Sequence, residues 1–192
     1  MSNQVTNILI SGVGGQGILL ASEILSEVLM LAGHDVKKNE IHGMSQRGGS
    51  VVSHIRYGQK VYSSIIPEGQ ADVLLGFELL ETYRYLPLVR EGGCVMANNL
   101  QIFPPPVTLG KETYPDNIPG KIKAAFPDSL LVDGLGLAMK AGNQRTVNTV
   151  LLGALSRRVP VEQSCWVETL QKMVPAKYLE ENVTAFHLGR NL

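Results

Sequence analysis

The first forty residues switch between a strand pattern and a helix pattern. Residues 7–11 (NILIS) form a short apolar run followed by glycines, which is typical of a buried strand. From residue 18 to residue 31 apolar side chains recur at spacings of three and four, which predicts an amphipathic helix that ends at Gly33. A second strand is predicted over residues 35–39. This order of elements begins a Rossmann-like, doubly wound sheet.

The pattern departs from a Rossmann chain after the second strand. Residues 51–57 (VVSHIRY) alternate and are rich in β-branched side chains, and residues 60–66 alternate again after Gly58 and Gln59. These two segments predict an inserted β-hairpin. A Rossmann chain places a crossover helix at this point.

Strands and helices continue to alternate up to about residue 133. Strands are predicted at 71–77, 94–98 and 129–133, and helices at 78–90 and 121–126. Residues 100–119 hold five of the ten prolines, which predicts a long surface loop. From Leu135 onward the pattern is helical. The expected fold is therefore α/β: a Rossmann-like, doubly wound, mostly parallel sheet with an inserted β-hairpin and a helical C-terminal region.

Composition narrows the class of protein. A length of 192 residues suits one domain, so a single domain over residues 1–192 is expected. Lys plus Arg and Asp plus Glu are 17 each, so the basic excess typical of proteins that bind nucleic acid or membrane surfaces is missing. No apolar run approaches the roughly 20 residues of a membrane-spanning helix. The N-terminal residues lack the basic and apolar regions of a signal peptide.

Cysteine and histidine usage argues against metal chemistry within the chain. Cys94 and Cys165 lie far apart without a CxxC motif, which excludes a four-cysteine iron–sulfur or zinc site. The four histidines show no metal-ligand spacing. A disulfide framework is not expected, so we expect a cytoplasmic location and no metal site.

The first candidate ligand site is the glycine-rich turn after the first strand. Gly12, Gly14 and Gly17 satisfy G-x-G-x-x-G between a predicted strand and a predicted helix. Glycine lets the backbone approach a diphosphate, and the helix start offers free N–H groups and a partial positive charge. The dinucleotide form of this motif also has an acidic residue about 20 positions on, where Glu40 stands. Three interpretations remain open: an NAD(P) site, a face for another ligand or a partner's cofactor, and glycines that only permit close packing.

The second candidate is the polar loop over residues 40–50 (EIHGMSQRGGS), which follows the second strand. Polar loops at the carboxyl ends of sheet strands are where such folds bind ligands. Arg47 is able to clamp a phosphate or carboxylate in bidentate fashion. The alternative is a surface turn with Arg47 in a solvated ion pair.

Three motifs together make the sequence recognisable. GVGGQGI begins at Gly12, HGMSQRGGSVVSHIRYG begins at His42, and AGNQRTVNTVLLGAL begins at Ala141. In this order they closely resemble the gamma subunit or gamma domain of 2-oxoacid:ferredoxin oxidoreductases, including the pyruvate/ketoisovalerate type. The MSQRGG form of the second motif is most similar to the indolepyruvate branch. The resemblance runs from about Val5 to Leu155 and is expected to continue to the C-terminus.

The resemblance implies a role inside a complex. Such complexes decarboxylate a 2-oxoacid oxidatively to an acyl-coenzyme A and pass electrons to ferredoxin. Thiamine diphosphate and the iron–sulfur clusters would belong to a large partner subunit, and this chain alone would bind no cofactor and contribute no catalytic residue. The gamma module would help to close the active site and to accommodate coenzyme A at a shared face. The residues predicted for that face are Gly12, Gly14, Gly15, Gln16, Gly17, Ser45, Arg47, Gly48, Gly49 and Asn143.

Local alternatives stay open at this point. Asn143 is equally suited to cap a helix. The chain as a whole is also compatible with an NAD(P)-dependent dehydrogenase, although the hairpin, the polar loop and the lack of a substrate domain count against it. A pure assembly module is the third possibility. Purified alone, the chain is expected to self-associate through the face meant for its partner.

Overall fold

A six-stranded mixed sheet with helices on both faces is the centre of the molecule, in a computed structural model that describes residues 5–43 and 49–192. The strands are β1 (Thr6–Val13), β2 (Asp35–His42), β3 (Ser50–Gly58), β4 (Ala71–Gly76), β5 (Val89–Asn98) and β6 (Leu130–Val132). The helices are α1 (Ile18–Leu31), α2 (Leu79–Tyr85), α3 (Pro105–Thr108), α4 (Ile118–Ala125), α5 (Gly134–Lys140), α6 (Val147–Leu155), α7 (Gln163–Met173) and α8 (Leu179–Arg190).

The strand order is β2-β3-β1-β4-β5-β6. β1, β4, β5 and β6 pair in parallel, and β3 runs antiparallel to both β1 and β2. The predicted α/β class, with a mostly parallel sheet and a helical C-terminal region, is confirmed. Because the parallel strands share one direction, the turns after β1 and β4 lie at the same edge of the sheet.

The predicted hairpin between residues 51–57 and 60–66 was wrong, because the antiparallel partner of β3 on that side is β2. β3 pairs with β2 in continuous register from Asp35 opposite Gly58 to His42 opposite Val51, and residues 60–66 form no strand. The second strand also extends to His42 rather than ending at residue 39. An alternating pattern identifies a strand-like segment and its buried face, but it does not encode which segment pairs with which.

Side chains of β3 hold the segment that was expected to be a strand. Arg56 Nη1 donates to the carbonyls of Ser63 and Ile65, and the Ile66 N–H donates to Nδ1 of His54 at 3.2 Å. Val61 and Ile66 are buried, so the alternation in this segment marks apolar anchors of an irregular loop.

Two apolar cores lie on opposite faces of the sheet. One side packs α1 and α5 to α8 around the stacked pair Trp166 and Phe186, whose ring centroids are 5.6 Å apart. The other side packs α2 and α4 against β4 and β5. α6 lies in the first core, and its first turn reaches the turn between β1 and α1, where Asn148 meets Gly17.

Candidate functional site

The glycine-rich turn is braced by one side chain. Gln16 Oε1 accepts from the N–H of Val13 at 2.7 Å, and Gln16 Nε2 donates to the carbonyl of Phe77 at 2.9 Å. Phe77 directly follows β4, and its own N–H donates to the carbonyl of Ser11 at 2.7 Å. The amide of Gln16 therefore ties the turn to the end of the neighbouring parallel strand.

The glycines serve different purposes. A Cβ on Gly12 would lie 2.7–2.8 Å from atoms of Gln16, Ile18 and Phe77, so this position requires close packing. Gly15 has φ +99° and Gly17 has φ +79°, a conformation that disfavours other residues. At Gly15 no atom of a described residue lies within 4 Å of where a Cβ would stand.

Some hydrogen-bond donors of the turn have acceptors among the described residues, and others have none there. Gly14 N–H donates to the carbonyl of Gly49 at 2.9 Å, and Gln16 N–H donates to Val13 at 3.2 Å. α1 begins after Gly17 without a side-chain cap, and its first backbone hydrogen bond runs from Ala21 to Gly17. Among the described residues no side chain caps the N–H groups of the first turn of α1, which is the arrangement that binds anions at helix starts.

The loop of the second motif ends against this turn. Ser45, Arg47 and Gly48 lie outside the described residues. Gly49 is described and accepts the hydrogen bond from Gly14, while the Gly43 N–H donates to the Ser50 carbonyl at 2.9 Å. The structure thus brings the base of the loop to the glycine turn.

In the third motif, which begins at Ala141, Asn143 was predicted to face the ligand, but Arg145 and Asn148 line the cavity beside the turn. Asn143 Oδ1 accepts from the Arg145 N–H at 3.0 Å, and Asn143 Nδ2 donates to Glu181 at 2.8 Å, so its amide serves as a helix cap. A cavity of about 490 Å³ opens beside Gly15 and Gly17 and is lined by Arg145 and Asn148 instead. The sequence placed these two residues three apart, which put them on one face.

A second cavity of about 590 Å³ lies on the other side of the same turn. Its described walls are mostly apolar and include Val13, Ile18 and Val51, with His42 at one side. Leu19 and Leu20 also line it and are 43% and 40% exposed. A concave apolar surface beside the start of a helix suits a small molecule with a charged end or a partner's side chains.

The position of Glu40 counts against a dinucleotide. β3 is inserted between β1 and β2, so Glu40 stands two strands from the glycine turn, roughly 10 Å away across the sheet. Lys38 Nζ and Ser22 Oγ both donate to Glu40 Oε1 at 2.9 Å. Burial alone would raise the pKa of Glu40, but these hydrogen bonds outweigh it and hold the pKa below its ordinary value. The carboxylate is thus engaged within the protein rather than directed at a ribose.

Other binding chemistry is limited in the described ranges. Within residues 5–43 and 49–192, no three His, Cys, Asp or Glu side chains come together in a metal-binding group. No helix in those same ranges has the length and apolar character needed to cross a bilayer.

The chain is similar to known oxidoreductase subunits along nearly its whole length. The family model described as pyruvate ferredoxin/flavodoxin oxidoreductase matches residues 7–192. The indolepyruvate oxidoreductase subunit IorB of Thermococcus kodakarensis is 43% identical over 188 residues, covering 95% of this chain and 93% of the relative. The subunit of the same name from Archaeoglobus fulgidus is 37% identical over 189 residues, with 96% and 94% covered. The pyruvate/ketoisovalerate oxidoreductases common subunit gamma of Pyrococcus abyssi is 28% identical over 163 residues, with 84% and 82% covered.

Solved structures share the fold. The gamma subunit of a keto/oxoacid ferredoxin oxidoreductase from Geobacter sulfurreducens superposes with a TM-score of 0.70 at 24% identity, covering 97% of this chain and 96% of the other. The 2-oxoglutarate:ferredoxin oxidoreductase of Magnetococcus marinus, solved with 2-oxoglutarate, coenzyme A and succinyl-CoA, gives a TM-score of 0.75 at 20% identity. That match covers 98% of this chain but 31% of the other, so the same fold also occurs as part of a longer chain.

Proposed function

The chain belongs to the pyruvate ferredoxin/flavodoxin oxidoreductase family, and we propose that it is the small, gamma-type subunit of an indolepyruvate-type 2-oxoacid ferredoxin oxidoreductase. The observation that carries this proposal is the 43% identity to a subunit of that name along 95% of the chain. The complex would convert a 2-oxoacid, an arylpyruvate above all, to its acyl-coenzyme A and pass the electrons to ferredoxin. Thiamine diphosphate and the iron–sulfur clusters would reside on a large partner subunit.

The face around the glycine turn is proposed to meet coenzyme A. Coenzyme A carries a diphosphate and a further phosphate, and the cavity that Arg145 lines is also lined by Gly15 and Gly17, at the start of α1, where a helix favours an anion. Arg145 is exposed and forms no ion pair with a described residue, so it is available to a phosphate. Ser45, Arg47 and Gly48 are proposed as part of the same face. The support for this is Gly49, the next residue along the chain, whose carbonyl accepts a hydrogen bond from Gly14 in the turn. Asn143 would contribute by capping the segment that presents Arg145.

Loss of Arg145 should weaken the use of coenzyme A by the reconstituted complex. For Arg145→Ala we expect the KM for coenzyme A to rise roughly tenfold, because a charge-assisted hydrogen bond to phosphate is lost. Arg47→Ala should act in the same direction. Steady-state kinetics with coenzyme A varied at saturating 2-oxoacid would measure both.

Arg157→Ala is the matched control, because it removes the same charge from an exposed residue just after the other end of α6. It should leave the KM for coenzyme A unchanged. An unaltered KM in the Arg145 variant, in a fully assembled complex, would remove this residue from the proposed face.

The competing functions make different predictions for the isolated chain. A dehydrogenase would bind NADH tightly, which fluorescence quenching would detect. We expect no such binding, because the Glu40 carboxylate already accepts hydrogen bonds from Lys38 and Ser22. If the chain is a pure assembly module, variants of the glycine turn would lower the activity of the complex only in proportion to the fraction that fails to assemble.

The partner and the location are also part of the proposal. Two observations would support it. The adjacent reading frame would encode a large thiamine- and cluster-binding subunit, and that subunit would copurify with this chain. The exposed Leu19 and Leu20 are the proposed cause of self-association when that partner is absent. Cys94 and Cys165 are both free thiols, which suits the reducing cytoplasm proposed here.

A further inference from the structure

Helix α2 carries two buried carboxylates with different partners. Glu78 is 1% exposed and caps the helix: Oε2 accepts from the Glu81 N–H at 2.8 Å, and Oε1 accepts from the Ile102 N–H at 3.0 Å and the Tyr114 hydroxyl at 2.9 Å. These bonds hold α2 and the loop after β5. These contacts explain why a carboxylate is buried at Glu78: it caps α2 and joins the helix to that loop.

Glu81 points elsewhere. It is 5% exposed, and its Oε2 accepts from the hydroxyl of Ser50 at 2.6 Å, at the first residue of β3. Its Oε1 lies 3.3 Å from Nη1 of Arg84, whose side chain is 53% exposed. Among the described residues the charged partners of this buried carboxylate are few, and a neutral side chain of the same size would avoid the cost of burying a charge. The hydrogen bond to Ser50 therefore gives the reason for a carboxylate at this buried position.

Ser50 connects Glu81 to the glycine turn. Ser50 follows Gly49, whose carbonyl accepts the hydrogen bond from Gly14, and it pairs with Val13 in the sheet. Its own carbonyl accepts from Gly43, which closes the base of the polar loop. One hydroxyl thus lies at the junction of the sheet, the loop and the turn.

We propose that Glu81 is a positioning residue, which fixes Ser50 and thereby the Gly49 carbonyl that holds the backbone of Gly14. The carboxylate acts on the ligand face without touching the ligand. The consequence for coenzyme A rests on the proposed function, whereas the consequence for the Gly14 amide does not. Charge-assisted bonds to a buried carboxylate are stronger and shorter than neutral ones, which suits this role.

The first test is amide hydrogen exchange in the assembled complex, followed by mass spectrometry on peptides that span Gly14. In Glu81→Gln and in Ser50→Ala the Gly14 region should exchange faster than in the wild type, because the Gly49 carbonyl is held less firmly. Thr169→Val is the matched control: it removes a buried hydroxyl that donates to the Cys165 carbonyl within α7, and it should lower thermal stability without changing exchange at Gly14.

The second test is kinetic. The KM for coenzyme A should rise about threefold to tenfold in Glu81→Gln and Ser50→Ala, with kcat at saturating coenzyme A within about twofold of the wild type. The double variant should be no worse than Ser50→Ala, because Glu81 acts through Ser50.

The outcomes separate the two proposals. Unchanged exchange at Gly14 in both variants, or equal changes in the Thr169 control, would overturn the positioning role. Independent effects that multiply in the double variant would overturn it too, since Glu81 would then act without Ser50. Faster exchange with an unchanged KM would uphold the positioning role and count against coenzyme A at this face.

Discussion

Replacing Gly189 with alanine is expected to destabilise the chain by roughly 3 kcal/mol, although alanine favours helices. A Cβ on Gly189 in α8 would lie 1.9 Å from the carbonyl oxygen of Val150 in α6. The obstacle is backbone, so no rotamer change relieves it and the two helices must separate. In an exposed helix the same substitution would instead stabilise by about 0.5–1 kcal/mol. The contact therefore reverses the sign of the effect.

The midpoint of urea unfolding of the isolated chain measures this prediction. Gly153→Ala should behave similarly, because its Cβ would lie 2.1 Å from the carbonyl oxygen of Phe186. The double variant should lose less than the sum, since one separation of the helices relieves both contacts. Thr184→Ala, at an exposed position of α8, is the control and should stay within about 0.5 kcal/mol of the wild type. A Gly189 variant as stable as this control would contradict the close approach of the helices.

Local patterns predicted most of the fold, because each element has its own period. The spacing of three and four in α1 and the apolar run of β1 were enough to place both elements. The pairing of β3 was not accessible in this way. Residues 60–66 alternate as a strand does, but β3 pairs with β2 instead, from Asp35 opposite Gly58 to His42 opposite Val51. Pairing is a tertiary property, settled by packing across the sheet.

The site was partly predictable for a related reason. The glycine turn and Gly49 were identified from motif and context, and the structure joins them by one hydrogen bond. Glu81 was missed because it stands in a short, polar helix segment, ELLETYRY, that resembles an exposed surface. Its hydrogen bond to Ser50, thirty-one residues earlier in the chain, is a tertiary contact that the local pattern does not contain. Arg145 rather than Asn143 lines the cavity, because the cap turns the asparagine inward to Glu181.

Gly12→Ala should reduce kcat/KM for coenzyme A in the reconstituted complex by about a hundredfold, because a misplacement near 1 Å is enough for such a loss. The added methyl would meet Gln16 Oε1 at 2.7 Å and Phe77 Cβ at 2.8 Å. Gln16 must then leave the Val13 N–H, and the turn loses its brace to β4. The N–H groups at the start of α1 would move with the turn, away from where they are proposed to meet a phosphate.

The same variant separates a ligand face from an assembly module, provided that assembly and activity are measured on one preparation. If the glycines serve ligand binding, size-exclusion chromatography will find complex whose activity per assembled particle is low. If they serve packing alone, activity will fall only with the assembled fraction, and the KM of the remaining complex will be normal. Gly69→Ala is the control, since Gly69 also has a positive φ but lies near Pro87, away from the turn. It should cost stability through backbone strain while leaving the KM for coenzyme A unchanged, because only a change at the turn displaces the start of α1.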